Sequence, residues 1–305
     1  MPKVTIVGAG QVGSTLAMRI LDSDLADIIL VDIAKKNLEG KVLDLQDAES
    51  SNKINRKIYF ADDFSNVDGS DIVVITAGFP RKPGMSREDL VKNNALIIKD
   101  VAVKLKTLSS QPITIVVTNP VDIMTAFLRE QTGFSPEKII GFGISLDTAR
   151  FANLIAQELK INVSTVDAMV IGTHGKGMIP LARFSYHNGA PLTDMLSQER
   201  IADLIEQTVQ RGARIVSCLG NGSAYFAPSA ALCKMVHSIL SSSGDITAAS
   251  VYLRGQYELD DVFIGVPVKL GKKGVEEIIE LELNPEEKKL LLNSAKELKQ
   301  CTISV

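Results

Sequence analysis

Cysteine is scarce in this chain of 305 residues: Cys218, Cys233 and Cys301 are the only three, and their wide spacing matches no zinc or redox motif. An odd, sparse set fits reduced thiols in a cytosolic compartment rather than a disulfide framework. A basic excess is also missing, with 33 Lys and Arg against 36 Asp and Glu and a net charge of −3. Nucleic-acid binding would need a clustered basic face, and Lys35-Lys36 and Lys272-Lys273 are short pairs that read as solvated surface. No apolar run reaches the ~18 residues of a membrane span. The first strand begins almost at Met1, which leaves no room for a charged n-region and an apolar h-region, so a soluble, cytoplasmic protein is expected. Proline- or serine-rich linkers and internal repeats are absent too. Two halves sharing an extensive interface are therefore expected, and Ser241-Ser242-Ser243-Gly244 reads as a loop only.

What is present starts with a glycine-rich turn. The apolar run Val4–Val7 leads into Gly8-Ala9-Gly10-Gln11-Val12-Gly13, and a second apolar run, Ile28–Val31, ends at Asp32. This is the dinucleotide fingerprint, with its carboxylate about 20 residues on. Gly8 permits the tight turn, Gly10 lets the backbone approach a pyrophosphate, and Gly13 lets the helix pack on the sheet. A helix N-terminus with free N–H groups then favours the phosphates. Asp32 can accept hydrogen bonds from a ribose diol and would repel a 2′-phosphate, so the cofactor reads as NAD rather than NADP.

Strand-like and helix-like segments alternate through the first half. Helices are expected over Gln11–Asp22, Leu38–Ala48 and Ser86–Leu108, and further strands over Lys57–Phe60, Ile72–Ala77 and Ile113–Thr118. Continuous β-branched runs suit a parallel sheet covered on both faces, and the alternation implies a Rossmann-type doubly wound α/β sheet. From about Ile144 the pattern becomes mixed. Helices are expected over Ser145–Leu159, Ser197–Leu219, Ser223–Ser241 and Pro285–Lys299, with strand-like pieces at Val166–Ile171 and Val262–Leu270. This predicts a cofactor-binding domain over 1–143 and a mixed α+β substrate domain over 144–305.

Several fragments carry chemistry. The loop Gly78-Phe79-Pro80-Arg81-Lys82-Pro83-Gly84-Met85-Ser86-Arg87 places two arginines among prolines and glycines. It reads either as an anion-clamping lid or as a solvated charged loop. Asp147 and Arg150 lie three apart on an expected helix, hence on one face, and are either functional or a surface ion pair. Of the three histidines, His187 is expected in a turn before Asn188-Gly189 and His237 on an amphipathic helix in a structural role. His174, between small residues at the end of a strand, is the acid–base candidate. Asn119 ends an apolar strand before Pro120, where it either binds a ligand or forms a turn.

Taken in order, these fragments resemble the lactate/malate dehydrogenase superfamily, most of all its lactate-dehydrogenase-like malate dehydrogenases. The resemblance runs through Ile75–Arg87, Val117-Thr118-Asn119-Pro120-Val121-Asp122, Leu146–Arg150, Gly172-Thr173-His174-Gly175 and Gly265–Gly271, covering essentially the whole chain. It implies an NAD-dependent oxidoreductase of the tricarboxylic acid cycle that interconverts malate and oxaloacetate, with no metal and a homo-oligomeric assembly, a tetramer in preference to a dimer. In that reading His174 exchanges the hydroxyl proton and Asp147 holds its imidazole. Arg150 grips the substrate C1 carboxylate, Arg87 polarises the reacting carbonyl, Asn119 orients substrate and nicotinamide, and Arg81 binds the distal carboxylate. The cofactor would be held by Gly8, Gly10, Gln11, Val12, Gly13, Asp32, Thr76, Ala77, Gly78, Asn94, Val117 and Asn119. Arg81 argues against a dehydrogenase for lactate, where glutamine usually stands. Lys176, where the family commonly has an acid, and Thr173 are departures from its pattern.

Overall fold

The computed structural model describes residues 1–61, 63–80, 86–220 and 222–301 and, for Arg87, the backbone. The first half runs β1 (Lys3–Val7), α1 (Gln11–Asp22), β2 (Asp27–Val31), α2 (Lys35–Asn52), β3 (Ile58–Ala61), β4 (Ile72–Ile75), α3 (Arg87–Leu105), β5 (Ile113–Val116), α4 (Val121–Thr132) and β6 (Ile139–Gly141). These six strands are parallel, in the order β3-β2-β1-β4-β5-β6. Side chains alternate across a strand, so each strand feeds both faces of the sheet. Val4, Ile6, Ile28, Leu30, Ile72 and Val74 pack with residues of α1 and α2 in one apolar cluster. Val7, Ile29, Val31, Val73 and Ile75 pack with α3 and α4 in another. Each such buried aliphatic side chain contributes about 1.5–3 kcal/mol.

The second half runs α5 (Ile144–Leu159), β7 (Val166–Asp167), β8 (Val170–Gly172), β9 (Met178–Pro180), β10 (Tyr186–His187), β11 (Ala190–Pro191), α6 (Leu192–Met195), α7 (Gln198–Leu219), α8 (Phe226–Ser241), β12 (Ile246–Arg254), β13 (Asp260–Gly271), β14 (Gly274–Ile278) and α9 (Pro285–Lys299). Its larger strands extend the same sheet antiparallel, β6-β12-β13-β8-β9, with β14 on β13. The seam is the pair Ser250–Gly141. A Cβ on Gly141 would lie 2.7 Å from Ser250 Cβ and 2.7 Å from Thr125 Oγ1, so only glycine admits this approach. Strands β11-β10-β7 form a separate small sheet. Among the described residues no helix is long and apolar enough to cross a membrane.

Three segments depart from the sequence reading. Val166–Ile171 is not one strand: the chain leaves the small sheet after Asp167 and joins the large one at Val170. His187 ends strand β10, and the turn begins at Asn188. His237 is exposed on α8, outside the core. The helices α4 and α6 and the strands β6, β9, β10, β11, β12 and β14 went unread in the sequence.

Candidate active site

The dinucleotide turn lies beyond the carboxyl ends of β1, β2 and β4, where ligands bind in open α/β sheets. Its glycines have distinct jobs. Gly8 has φ +103°, and a Cβ there would meet the Ala77 backbone N at 2.5 Å; one on Gly13 would meet the Gly8 carbonyl at 1.9 Å. A Cβ on Gly10 would meet nothing within 4 Å among the described residues, which leaves the turn open there to a pyrophosphate. Gly10 is also the N-cap of α1, with no side-chain cap and no acid in the first turn. That leaves the helix's first N–H groups for an anion. The residues present therefore fit a bound dinucleotide.

The flanking residues hold this cradle. Asp32 accepts from the Ala9 N–H at 2.7 Å and the Ala34 N–H at 2.9 Å. Thr76 Oγ1 donates to the Gly8 carbonyl at 2.7 Å. Asn94 is fully buried, with Oδ1 accepting from Phe79 N–H at 2.7 Å and Nδ2 donating to the Asn119 carbonyl at 2.6 Å. It thus ties the loop after β4 to the loop after β5, and Thr118 adds a bond to the Ala77 carbonyl at 2.7 Å. Gly78 packs against Thr118, where a Cβ would come within 2.7 Å of Cγ2. The N-cap Ser86, closed by a capping box with Asp89, fixes where α3 starts. Arg81, Lys82 and the Arg87 side chain lie outside the described residues.

On the other side, α5 presents Asp147 and Arg150 on one face. Asp147 is 0% exposed and shares its carboxylate: Oδ2 is 2.6 Å from His174 Nδ1, and Oδ1 accepts from Arg150 at 3.0 Å. This is no surface ion pair, since the Arg150 side chain is only 11% exposed. Its Nε is buried with no hydrogen-bond partner among the described residues. A Cβ on Gly212 would lie 3.3 Å from the guanidinium, so glycine on α7 leaves it room. For His174, burial lowers the pKa, but the Asp147 charge and hydrogen bond, with Asp122, more than offset it, and the net shift is upward.

Three residues at this site were not legible as site residues. Asp122, in the first turn of α4, accepts the His174 backbone N–H at 3.1 Å. Burial pushes its carboxyl up to about 6, against the pull of the Ser250 hydroxyl and His174. Ser294 on α9 donates toward Thr173 Oγ1 and the Gly177 carbonyl, each at 3.1 Å, and so braces the turn carrying His174. Gly143 lies beneath the imidazole. The only signal for Asp122 was its place after Asn119-Pro120-Val121; Ser294 and Gly143 gave none, because both act through tertiary contact.

Gly143 yields a direct test. A Cβ there would lie 2.7 Å from His174 Cβ and 2.9 Å from its Cγ. Gly143→Ala must therefore displace the ring while leaving the dinucleotide turn untouched. With His174 as the expected acid–base group, turnover should fall by about 10- to 100-fold, with NADH affinity retained. Steady-state kinetics beside an NADH titration checks this; weakened NADH binding would contradict it.

The comparisons with known proteins agree with this geometry. Residues 2–141 match the lactate/malate dehydrogenase NAD-binding domain, and residues 144–303 match the alpha/beta C-terminal domain of the same family. The malate dehydrogenase of Nostoc sp. is 46% identical over 300 residues, covering 98% of this chain and 93% of that protein. That of Methanosarcina mazei is 43% identical over 98% of both. The apo malate dehydrogenase of Picrophilus torridus superposes with a TM-score of 0.94 at 37% identity, over 98% of this chain and 95% of the other. A lactate dehydrogenase of Cryptosporidium parvum, solved with lactic acid and nicotinamide adenine dinucleotide, also superposes at 0.94, with 34% identity over 98% and 96%. From turn, site and full-length similarity together, the chain belongs to the lactate/malate dehydrogenase family.

Proposed function

We propose that this protein is an NAD-dependent malate dehydrogenase, reversibly converting malate to oxaloacetate. The observation that carries the reading is Asp147, one buried carboxylate joining an imidazole to a guanidinium in a chain that opens on a dinucleotide turn. NAD, when bound, supplies the hydride acceptor for malate oxidation. The protein's own groups do the rest. Arg150 pairs with the substrate C1 carboxylate as a planar fork. His174 has Nδ1 committed to Asp147, so Nε2 takes the C2 hydroxyl proton. Asp147 stabilises the imidazolium that results. Arg87 polarises the carbonyl in the reverse direction, Asn119 orients the substrate, and Arg81 receives the distal carboxylate. Residues 1–143 form the cofactor domain, which also carries Arg81, Arg87 and Asn119, and 144–305 form the catalytic and substrate domain. We place the enzyme in the cytoplasm, as a homotetramer at the malate step of the tricarboxylic acid cycle, in keeping with its sparse cysteines and its family.

Arg81 tests the substrate. Oxaloacetate differs from pyruvate by a distal carboxylate, which needs a cation once water is excluded. Leaving a buried carboxylate unpaired costs roughly 3–5 kcal/mol by analogy with broken buried pairs. Arg81→Gln is therefore expected to cut kcat/KM for oxaloacetate by about 100-fold or more, while pyruvate loses little. Lys82 is the adjacent competitor, but its point charge makes a poorer fork. Kinetics on both substrates in wild type, Arg81→Gln and Lys82→Gln decide it, and an unchanged oxaloacetate-to-pyruvate ratio in Arg81→Gln would remove the reading of malate over lactate.

A further inference from the structure

The dinucleotide turn has no side chains of its own to hold it, and its middle residue is gripped from outside at both ends. The Ala9 N–H is held by Asp32, at the end of β2, at 2.7 Å. The Ala9 carbonyl accepts from Ser14 Oγ at 2.9 Å and from the half-buried Lys41 ammonium, which reaches across from α2. Lys41 is thus the one cation hydrogen-bonded to the turn among the described residues. It lies one peptide from Gly10, the uncapped start of α1.

We propose that Lys41 is a positioning residue for the cofactor, resting on the dinucleotide reading of this turn. Two physical effects converge on it. By fixing the Ala9 carbonyl it fixes the direction of the N–H groups that follow, which must converge on a diphosphate. By placing a positive charge beside the turn it offsets the repulsion between the Asp32 carboxylate and a doubly negative diphosphate. Neither effect reaches His174 or Arg150, so the loss on removing Lys41 falls on cofactor affinity and spares the chemical step.

The experiment compares the full chain with Lys41→Met, which keeps the apolar stem and removes donor and charge, and Lys41→Arg, which keeps both. NADH affinity is read by fluorescence titration, alongside KM for NADH, kcat and KM for oxaloacetate. Lys41→Met is expected to weaken NADH binding about tenfold or more, the scale of a lost charge-assisted hydrogen bond. Its kcat at saturating NADH and its KM for oxaloacetate should stay within about twofold of wild type, as for a group that contributes only uniform cofactor binding. Lys41→Arg should restore most of the affinity. NADH affinity within about twofold of wild type in Lys41→Met, an equal loss in kcat, or an arginine variant as weak as the methionine one would each overturn the proposal. Wild-type binding of NADH and its oxidation by oxaloacetate test the underlying reading separately.

Discussion

His174→Asn is expected to lower turnover by about 10²- to 10⁴-fold, the usual worth of a positioned acid–base group, while NADH binding stays nearly intact. The separation follows from the architecture. His174 sits between β8 and β9 in the second half of the chain, and its hydrogen bonds among the described residues are to Asp147 and Asp122. The dinucleotide turn is held by other groups, Asp32, Thr76, Ser14 and Lys41. The same residue is expected to set the pH dependence. In the proposed mechanism oxaloacetate reduction consumes the proton on His174, so its kcat/KM should be flat at low pH and fall as pH rises through the histidine pKa. Malate oxidation needs the neutral imidazole and should rise through the same point. Because Asp147 holds the pKa above its usual value, both transitions in wild type should lie on the alkaline side of about 6.5. His174→Asn should abolish both. Near-normal turnover in the mutant, or transitions that survive it, would remove His174 from the chemistry.

The sequence displayed the cofactor half more completely than the substrate half, for a physical reason. A parallel strand buried on both faces is a continuous apolar run, so β1, β2, β4 and β5 stand out, and a glycine turn followed by a strand-end acid is local in sequence. Helix α9 announces itself by Asn284, Pro285 and the capping-box Glu287. By contrast β12 reads Ile-Thr-Ala-Ala-Ser-Val-Tyr-Leu-Arg, with small residues where it must approach Gly141 closely, and this dilutes the β signal. Helix α4 buries Asp122, Thr125 and Thr132 beside its apolar residues, so polar letters fall on its inward face. Val166–Ile171 changes sheets in mid-run, which no periodicity records. At the site, the spacing of Asp147 and Arg150 placed them on one face, but only burial separates a carboxylate shared with His174 from a surface pair. Asp122 and Ser294 reach the His174 turn from 52 and 121 residues away in sequence.

Asp147→Asn should damage catalysis nearly as severely as loss of the histidine. The substitution is isosteric, so packing survives, but both oxygens of Asp147 are committed, one to His174 and one to Arg150. Asparagine offers one acceptor and one donor group. If its oxygen faces Arg150, its amide donates to His174 Nδ1 and moves the imidazole proton to Nε2, where no hydroxyl proton can then be accepted. If its oxygen faces His174, a donor opposes the Arg150 guanidinium in a buried site. Either way the negative charge that stabilises the imidazolium is gone, and the histidine pKa must fall. A wrong tautomer from the same substitution costs about 10⁴-fold in the serine-protease triad, and a loss of about 10²- to 10⁴-fold is expected here. The loss should fall on kcat. Arg150, no longer partly neutralised by Asp147, should hold the substrate carboxylate at least as well, so KM for oxaloacetate should not rise. The pH profile supplies the readout that simple destabilisation would not move: the fall in oxaloacetate reduction should shift toward acid relative to wild type. A profile whose midpoint stays in place would show that Asp147 does not set the charge on His174, and the shared carboxylate would then be a structural tie alone.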